Sequence, residues 1–452
     1  MRGRTWFPWA IGAVATLASA LPAVSNANDL SDLYRLAAQS DLTLQSAVAA
    51  HDASVEARPR AWSPLFPQLT GQTYWRSNRR RGTALDNSES STTGTSIDES
   101  YSSTGYSLTL SQAIFDWSAF KTLSASGRQV AQAEATYAAA QQNLILRLVT
   151  AYFTVLTAQD SLRADQGAAT SYKQQLDNLQ ESFKTGVAPV TDVKNAQAAY
   201  DTAAAQVLVD TTALASAKRA LAVIVGRPIG GLDPLRDEIA LAPPNPADVE
   251  SWTRAAISDN PAVIAAHFGA EAADDQTSAA FGKHFPTVGA VGSLGHVTSN
   301  SRFGADVVTN YIGVALNWNI FQGGAVSSSV RSAEAASTAA EVSYQLQARG
   351  AEQSARDHFD GVVNGIAIVN AANSAASSQQ ASMLATEVGF KVGIRTVIDV
   401  LNARQLLATT QKTLAQARYS YLVSLLSLKA DVGQLTQKDL DDVDRLLVRG
   451  AR

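Results

Sequence analysis

A fifteen-residue stretch occurs twice in this 452-residue chain. "FKTGVAPVTDVKNAQ" begins at Phe183 and "FKVGIRTVIDVLNAR" at Phe390, and eight of the fifteen positions are identical. Average residue usage predicts about one match. The spacing persists downstream, where Leu221 and Gly226 are answered by Leu428 and Gly433, each 207 residues on (390 − 183). A period this long marks a duplicated half-molecule, not a solenoid repeat. Whatever the fold is, two similar halves build it.

Upstream of each copy the apolar residues recur in sevens. Counting back from Phe183 gives Leu176, Ala169, Leu162, Val155 and Leu148, and from Phe390 it gives Met383, Ala376, Val369, Val362 and Ala355. Such a repeat belongs to helices coiled around neighbours. From Ser118 to Lys184 there is no proline and the only glycines are Gly127 and Gly167. An unbroken helix there is about 100 Å long at 1.5 Å per residue, beyond what a compact domain usually holds.

The first residues read as an export signal, with Arg2 and Arg4, an apolar run from Ala10 to Leu21, and small residues at Ser25–Ala27. Residues 1–27 are therefore set aside. The chain has no cysteine, so neither a bacterial lipid anchor nor disulfide, thiol or Cys–metal chemistry is expected. A formal charge of −4 argues against a nucleic-acid partner. No later stretch reaches the roughly 18–20 apolar residues of a membrane-spanning helix, which leaves a periplasmic protein or a membrane β-barrel.

The segments between the helices favour the barrel. Each half carries two alternating stretches, Gln68–Trp75 and Gly105–Phe115, then Thr287–Val297 and Tyr311–Phe321, none containing Asp, Glu, Lys or Arg. Their lengths suit tilted strands crossing a bilayer. In the last, Ile312, Val314, Leu316, Trp318 and Ile320 share one face, and Gly313, Ala315, Asn317 and Asn319 the other. Aromatic residues such as Trp62, Phe66, Trp75, Phe115, Trp117, Phe281, Phe285 and Phe321 gather at the ends, as interfacial belts do. The connection from Arg76 to Thr104 reads as an exposed loop, its Arg79–Arg81 run first as a solvated face and second as a contact to anionic lipopolysaccharide. Four strands cannot close a barrel, and lipid tolerates no open edge. Other copies must complete it, and these grounds leave two or three copies open.

At this point the chain resembles the TolC family of outer-membrane efflux and secretion ducts, and the namesake more than the lipid-anchored relatives. The resemblance spans the whole mature chain. It rests on the twice-repeated order helix, β-hairpin, long helix, "G-x-x-x-V-x-D-V-x-N-A", return helix, and is densest from Phe390 to Leu446 through "RTVIDVLNA", "ARYSYL" and "KDL". It implies a mainly α fold with a β-barrel part. Three chains would give four strands each to a barrel of about twelve, above a coiled-coil α-helical tunnel in the periplasm. The expected organisation is a first repeat over 28–226 (hairpin 68–115, long helix 118–184, return helix 190–225) and an equatorial linker over 227–246. A second repeat covers 247–433 (hairpin 287–321, long helix 323–390, return helix 397–430), and an equatorial segment 434–452. Single helices are expected over 29–58 and 247–282.

The resemblance also implies sites. Thr191, Asp192, Phe390 and Arg395 map to the periplasmic gate, with Arg395 offering donors to Asp192 and Thr191 of a neighbouring chain. Phe390 stands where the family often has tyrosine, so that part of the latch is expected to be weak. Asp399 and Asn402 map to a constriction ring that favours cations, weakened here because Asn402 replaces an aspartate. Gly186, Val187, Gly393 and Ile394 mark the tips that meet a periplasmic adaptor, although a turn requirement explains the glycines equally well. The implied partners are two more copies, the adaptor, an inner-membrane transporter of RND, ABC or MFS type, and outer-membrane lipid.

No GxGxxG, Walker-type GxxxxGK, HExxH or GxSxG motif is present, and His51, His267, His284, His296 and His358 lack metal-ligand spacing. Neither catalysis nor a cofactor is expected. The rival readings are a periplasmic adaptor, which would carry one helical hairpin and no barrel strands, and a coiled-coil protein without a pore. The cargo is not readable.

Overall fold

The computed structural model describes residues 29–85, 94–301, 304 and 306–448; the expected export signal and residues 449–452 of the C-terminal segment lie outside them. Helices α1 (Leu30–Ser40), α2 (Leu42–Val55) and α3 (Ala57–Trp62) lead into strands β1 (Gln68–Leu85) and β2 (Gly94–Phe115). The long helix α4 (Trp117–Lys184) and return helix α5 (Val190–Val225) follow. The order then recurs: α6 (Val249–Asp259), α7 (Pro261–Gly282), β3 (Thr287–Ser299), β4 (Asp306–Asn317), α8 (Ala325–Lys391) and α9 (Val397–Asp431), closed by α10 (Gln437–Asp444).

Two expectations of single helices are corrected. The stretch 29–58 breaks at Asp41, whose carboxylate caps α2 through Leu44 N at 2.7 Å and holds Arg147 of α4 at 2.9 and 3.1 Å. The stretch 247–282 breaks at Asn260–Pro261. Pro261 opens α7, where its missing N–H costs nothing, and Asn260 Oδ1 accepts from Ala262 N at 2.8 Å.

The strands form one antiparallel sheet in the order β1-β2-β3-β4, so β1 and β4 are edges. β1 and β2 stay paired from Gln68↔Ser111 to Leu85↔Gly94, and β3 and β4 from Thr287↔Asn317 to Thr298↔Asp306. The supposed loop over Arg76–Thr104 is therefore mostly strand. Arg79 and Arg81 project from the same side of β1 and both bind Asp98 of β2 across the ladder. The last strand is shorter than expected at its end. β3 begins at Thr287, which pairs with Asn317, so Trp318–Phe321 have no partner strand among the described residues, and the Trp318 indole donates to His284 O instead. Ile312, Val314 and Leu316 stand bare on one face of β4. Where strands meet helices, Trp117 packs edge-on to Phe285, and Phe285 to Phe281.

The heptad spine dictates the helical packing. Leu148, Val155 and Leu176 of α4, and Ala355, Val362 and Val369 of α8, are buried. The main core lies midway along these helices, where Tyr152, Phe153 and Leu156 meet Leu221 of α5, Phe359 of α8, and Leu422 and Leu426 of α9. Leu232 of the 227–246 linker and Leu440 and Val443 of α10 close it. The Tyr152 hydroxyl donates to Asp233 O, and Tyr421 exchanges two hydrogen bonds with the Ala242 backbone. The linker also pairs with the C-terminal segment through Arg236 N to Leu446 O and Val448 N to Pro234 O. Away from this waist the spine loosens, and Phe183 at the far end is exposed.

Candidate functional site at the helical tips

The two hairpin tips are one turn written twice. Gly186 and Gly393 have φ of 80° and 83°, a left-handed backbone that favours glycine. Gly186 N donates to Phe183 O and Gly393 N to Phe390 O, both at 3.0 Å. Val187 N and Ile394 N reach back to Ser182 O and Gly389 O at 2.8 and 2.9 Å. Around both glycines there is open space, so backbone conformation explains them. Val187 and Ile394 are 80% and 78% exposed, two bare apolar knobs at the end of the molecule.

The helices leaving these turns are capped differently. Asp192 and Asp399 occupy equivalent third positions of α5 and α9 (399 − 192 = 207). Thr396 and Asp399 form a reciprocal capping box: Asp399 accepts from Thr396 N and Oγ1, each at 2.9 Å, and its own N–H donates to Thr396 Oγ1 at 3.2 Å. Those bonds to Thr396, with the Arg395 charge as a smaller contribution, hold the Asp399 carboxyl below the usual range. At the matching position α5 has Pro189, which owns neither a hydroxyl nor an N–H. The Asp192 N–H still donates to Pro189 O at 3.2 Å, but its carboxylate is left without a hydrogen-bond partner among the described residues.

Arg395 is exposed and lays its aliphatic stem across Gly389, where an added Cβ would come within 2.8 Å of Arg395 Cγ. Its guanidinium has no hydrogen-bond partner among the described residues. A single chain thus brings Arg395 near Asp399 but not to Asp192 or Thr191. Phe390 is half-buried against a cluster containing Tyr172, Leu176 and Leu179 of α4 and Val397 and Leu401 of α9. In place of a hydrogen bond it contributes an apolar contact between the hairpins.

A polar ladder joins hairpin to hairpin above the tips, and sequence reasoning missed it. The Tyr172 hydroxyl donates to Leu401 O at 3.1 Å. Arg404 donates to Ser171 O while its Nε and Nη2 hold Glu387 of α8 at 3.0 and 2.7 Å. Lys412 pairs with Asp165, and the Tyr419 hydroxyl donates to Asp160 at 2.6 Å. Burial pushes the Tyr419 phenol far up, so it remains a donor at any physiological pH. Beside the ladder runs a groove of about 560 Å³ between α5 and α9, lined by Asn195, Thr202, Gln206, Asn402, Gln405 and Thr409 among others. Asn402 opens onto this groove, two helical residues beyond Val400.

Among the described residues no helix is long and apolar enough to cross a membrane, and no group of three or more His, Cys, Asp or Glu side chains is placed to hold a metal ion. What remains is a four-stranded sheet with an apolar exterior above a sheaf of long helices, the architecture of a channel protein. The chain belongs to the outer membrane efflux protein family, whose description matches residues 33–227 and 252–434, once for each half. It is 32% identical to the outer membrane protein TolC of Escherichia coli strain K12 over 435 residues, 93% of this chain and 85% of that one. It is 27% identical to the alkaline protease secretion protein AprF of Pseudomonas aeruginosa over 455 residues, covering 100% of this chain and 93% of the relative. Among solved structures, the CmeC outer membrane channel of Campylobacter jejuni superposes with a TM-score of 0.77 at 18% identity, over 93% of this chain and 90% of that chain. The protein is a transport channel of the outer membrane, with its sheet in the bilayer and its helices in the periplasm.

Proposed function

We propose that three copies of this chain form the exit duct of a tripartite efflux pump or a type I secretion system, closed at its periplasmic end by a gate between neighbouring hairpins. The observation that carries this reading is the sheet. It has two unpaired edge strands and an apolar outer face, and such a sheet cannot rest in lipid until other copies continue it. Three sheets of four strands give a twelve-stranded barrel.

The gate joins Arg395 of one subunit to Asp192 and Thr191 of the next. Two features support it: among the described residues the Arg395 guanidinium and the Asp192 carboxylate lack hydrogen-bond partners, and Pro189 denies Asp192 a local cap. Asp399 and Asn402 ring the water column just inside the tip. The bare residues Val187 and Ile394, on turns shaped by Gly186 and Gly393, meet the ends of an adaptor's helices. An inner-membrane transporter supplies the energy, and the duct itself is passive. Relatives named for each role exist, an outer membrane efflux protein, BepC of Brucella suis, and the alkaline protease secretion protein AprF.

The test is single-channel recording of the purified assembly in a planar bilayer. Arg395→Ala removes the donor side of the gate and raises conductance. A conductance equal to the native value refutes the gate assignment.

A further inference from the structure

Within the seam, two acids from one hairpin meet a lysine from the other. Asp165 of α4 and Asp210 of α5 are more than nine-tenths buried, at 7% and 8% exposure, and their carboxyl groups face the same Lys412 ammonium. Lys412 of α9 pairs with Asp165 and stands 3.9 Å from Asp210 Oδ2. Asp210 Oδ1 accepts from Gln206 Nε2 at 2.9 Å, whereas Oδ2, fully enclosed, has no hydrogen-bond partner.

This arrangement is unsatisfied on two counts if both acids are ionised. Two carboxylates against one ammonium leave a net negative charge in a buried place, which is costly. Two ionised carboxylates are also acceptors only, so neither can donate to the other. A single proton cures both faults. It balances the charge and turns one carboxyl into a donor for the enclosed oxygen.

We propose that Asp165 and Asp210 jointly bind one proton in the closed seam, and that this protonated pair, with Lys412, fastens one hairpin to the other. Burial, and then the facing Asp210 carboxyl, hold Asp165 above the usual carboxylate range against the pull of Lys412. The charged and titratable groups around it are Asp210 from α5, Lys412 from α9, and Tyr172 on α4 itself, with Arg404 beyond Tyr172. An acid that holds its proton more tightly in the closed seam than in water strengthens that seam at low pH. The contribution fades as pH rises through the raised pKa. When α9 swings away, both carboxyls meet water and the proton leaves. The periplasmic face of the duct then responds to external pH, a consequence that rests on reading these hairpins as its gate.

Infrared difference spectroscopy of the purified assembly between about pH 5 and about pH 9 reads the proton directly. The native protein retains a protonated-carboxyl C=O band at pH values where an ordinary carboxylic acid has lost it, and Asp210→Asn and Asp165→Asn each abolish it. Absence of that band, or its survival in either variant, overturns the proton site whatever the gate does. The second arm is conductance. As pH rises through the range over which that band disappears, native conductance rises roughly twofold or more, while Asp210→Asn, whose amide supplies the missing donor, stays flat. A native conductance that is constant or falls over this range overturns the coupling to the gate. Equal pH dependence in Asp210→Asn overturns it too.

Discussion

Replacing Pro189 with threonine should loosen the proposed gate without touching either of its charges. Pro189 has φ −74° and ψ 153°, and Thr396, its counterpart in the second half, has φ −91° and ψ 163°. Threonine therefore fits position 189 without backbone strain. With Asp192 three residues further on, it would recreate at the start of α5 the capping box that Thr396 makes with Asp399. Such a cap is worth about 1 kcal/mol, a charge-assisted hydrogen bond about 1.5–3 kcal/mol. Asp192 would be drawn toward its own helix end and become about fivefold less available to Arg395 of the neighbour. Three equivalent sites make the shift about 3 kcal/mol per assembly if they act independently. The expected conductance lies between the native value and that of Asp192→Ala. If Pro189→Thr conducts like the native protein while Asp192→Ala conducts more, a local cap does not compete with the gate, and the proposed rivalry between the two is refuted.

Asp399→Asn should lower cation selectivity, read as a shift in reversal potential under a salt gradient; the amide oxygen can still accept from Thr396 N, so α9 keeps its start. His358 of α8 is bonded to Asp431 at the end of α9 at 2.5 Å, and that bond, ahead of the charges of Asp431 and Asp357, raises its pKa above the ordinary 6.5. Its stabilisation is full below the ordinary value and lost as pH rises through the raised one. Thermal midpoints should therefore fall between about pH 6 and about pH 8 in the native protein and vary less in His358→Gln. Gly433→Ala should lower the thermal midpoint markedly, because φ there is 68° and the new Cβ would lie 2.4 Å from Asp259 O. The strain alone is about 1–3 kcal/mol. Gly186→Ala, equally left-handed but facing open space, should be milder.

The large elements were legible because they rest on long, regular patterns. The heptads from Leu148 and Ala355 predicted helices whose spine is buried through the waist and loosens toward the tips, and the tip turns follow from glycines that need a left-handed backbone. Finer boundaries were not. Nothing in the alternation of Arg76–Leu85 says that a charged, serine-rich stretch continues the ladder, since that depends on what faces it in β2. The break at Asn260–Pro261 was readable, an asparagine cap ahead of proline, but a helical pattern on both sides hid it. The inter-hairpin ladder left a fainter trace. Asp165 and Tyr172 fall three residues after Leu162 and Ala169, the second seam position of the heptad, where a polar residue is a departure that commonly fixes register. Lys412 and Asp210 carry no such mark, because their partner is set by the three-dimensional meeting of α5, α4 and α9.

The two unanswered strand edges bear on biogenesis. A solitary copy with Ile312 at 90% exposure has no stable berth in either water or hydrocarbon. Recruitment of its fellows and entry into lipid must coincide, as one event of high molecular order. Yield should then depend steeply on how many newly exported chains meet before proteases reach them.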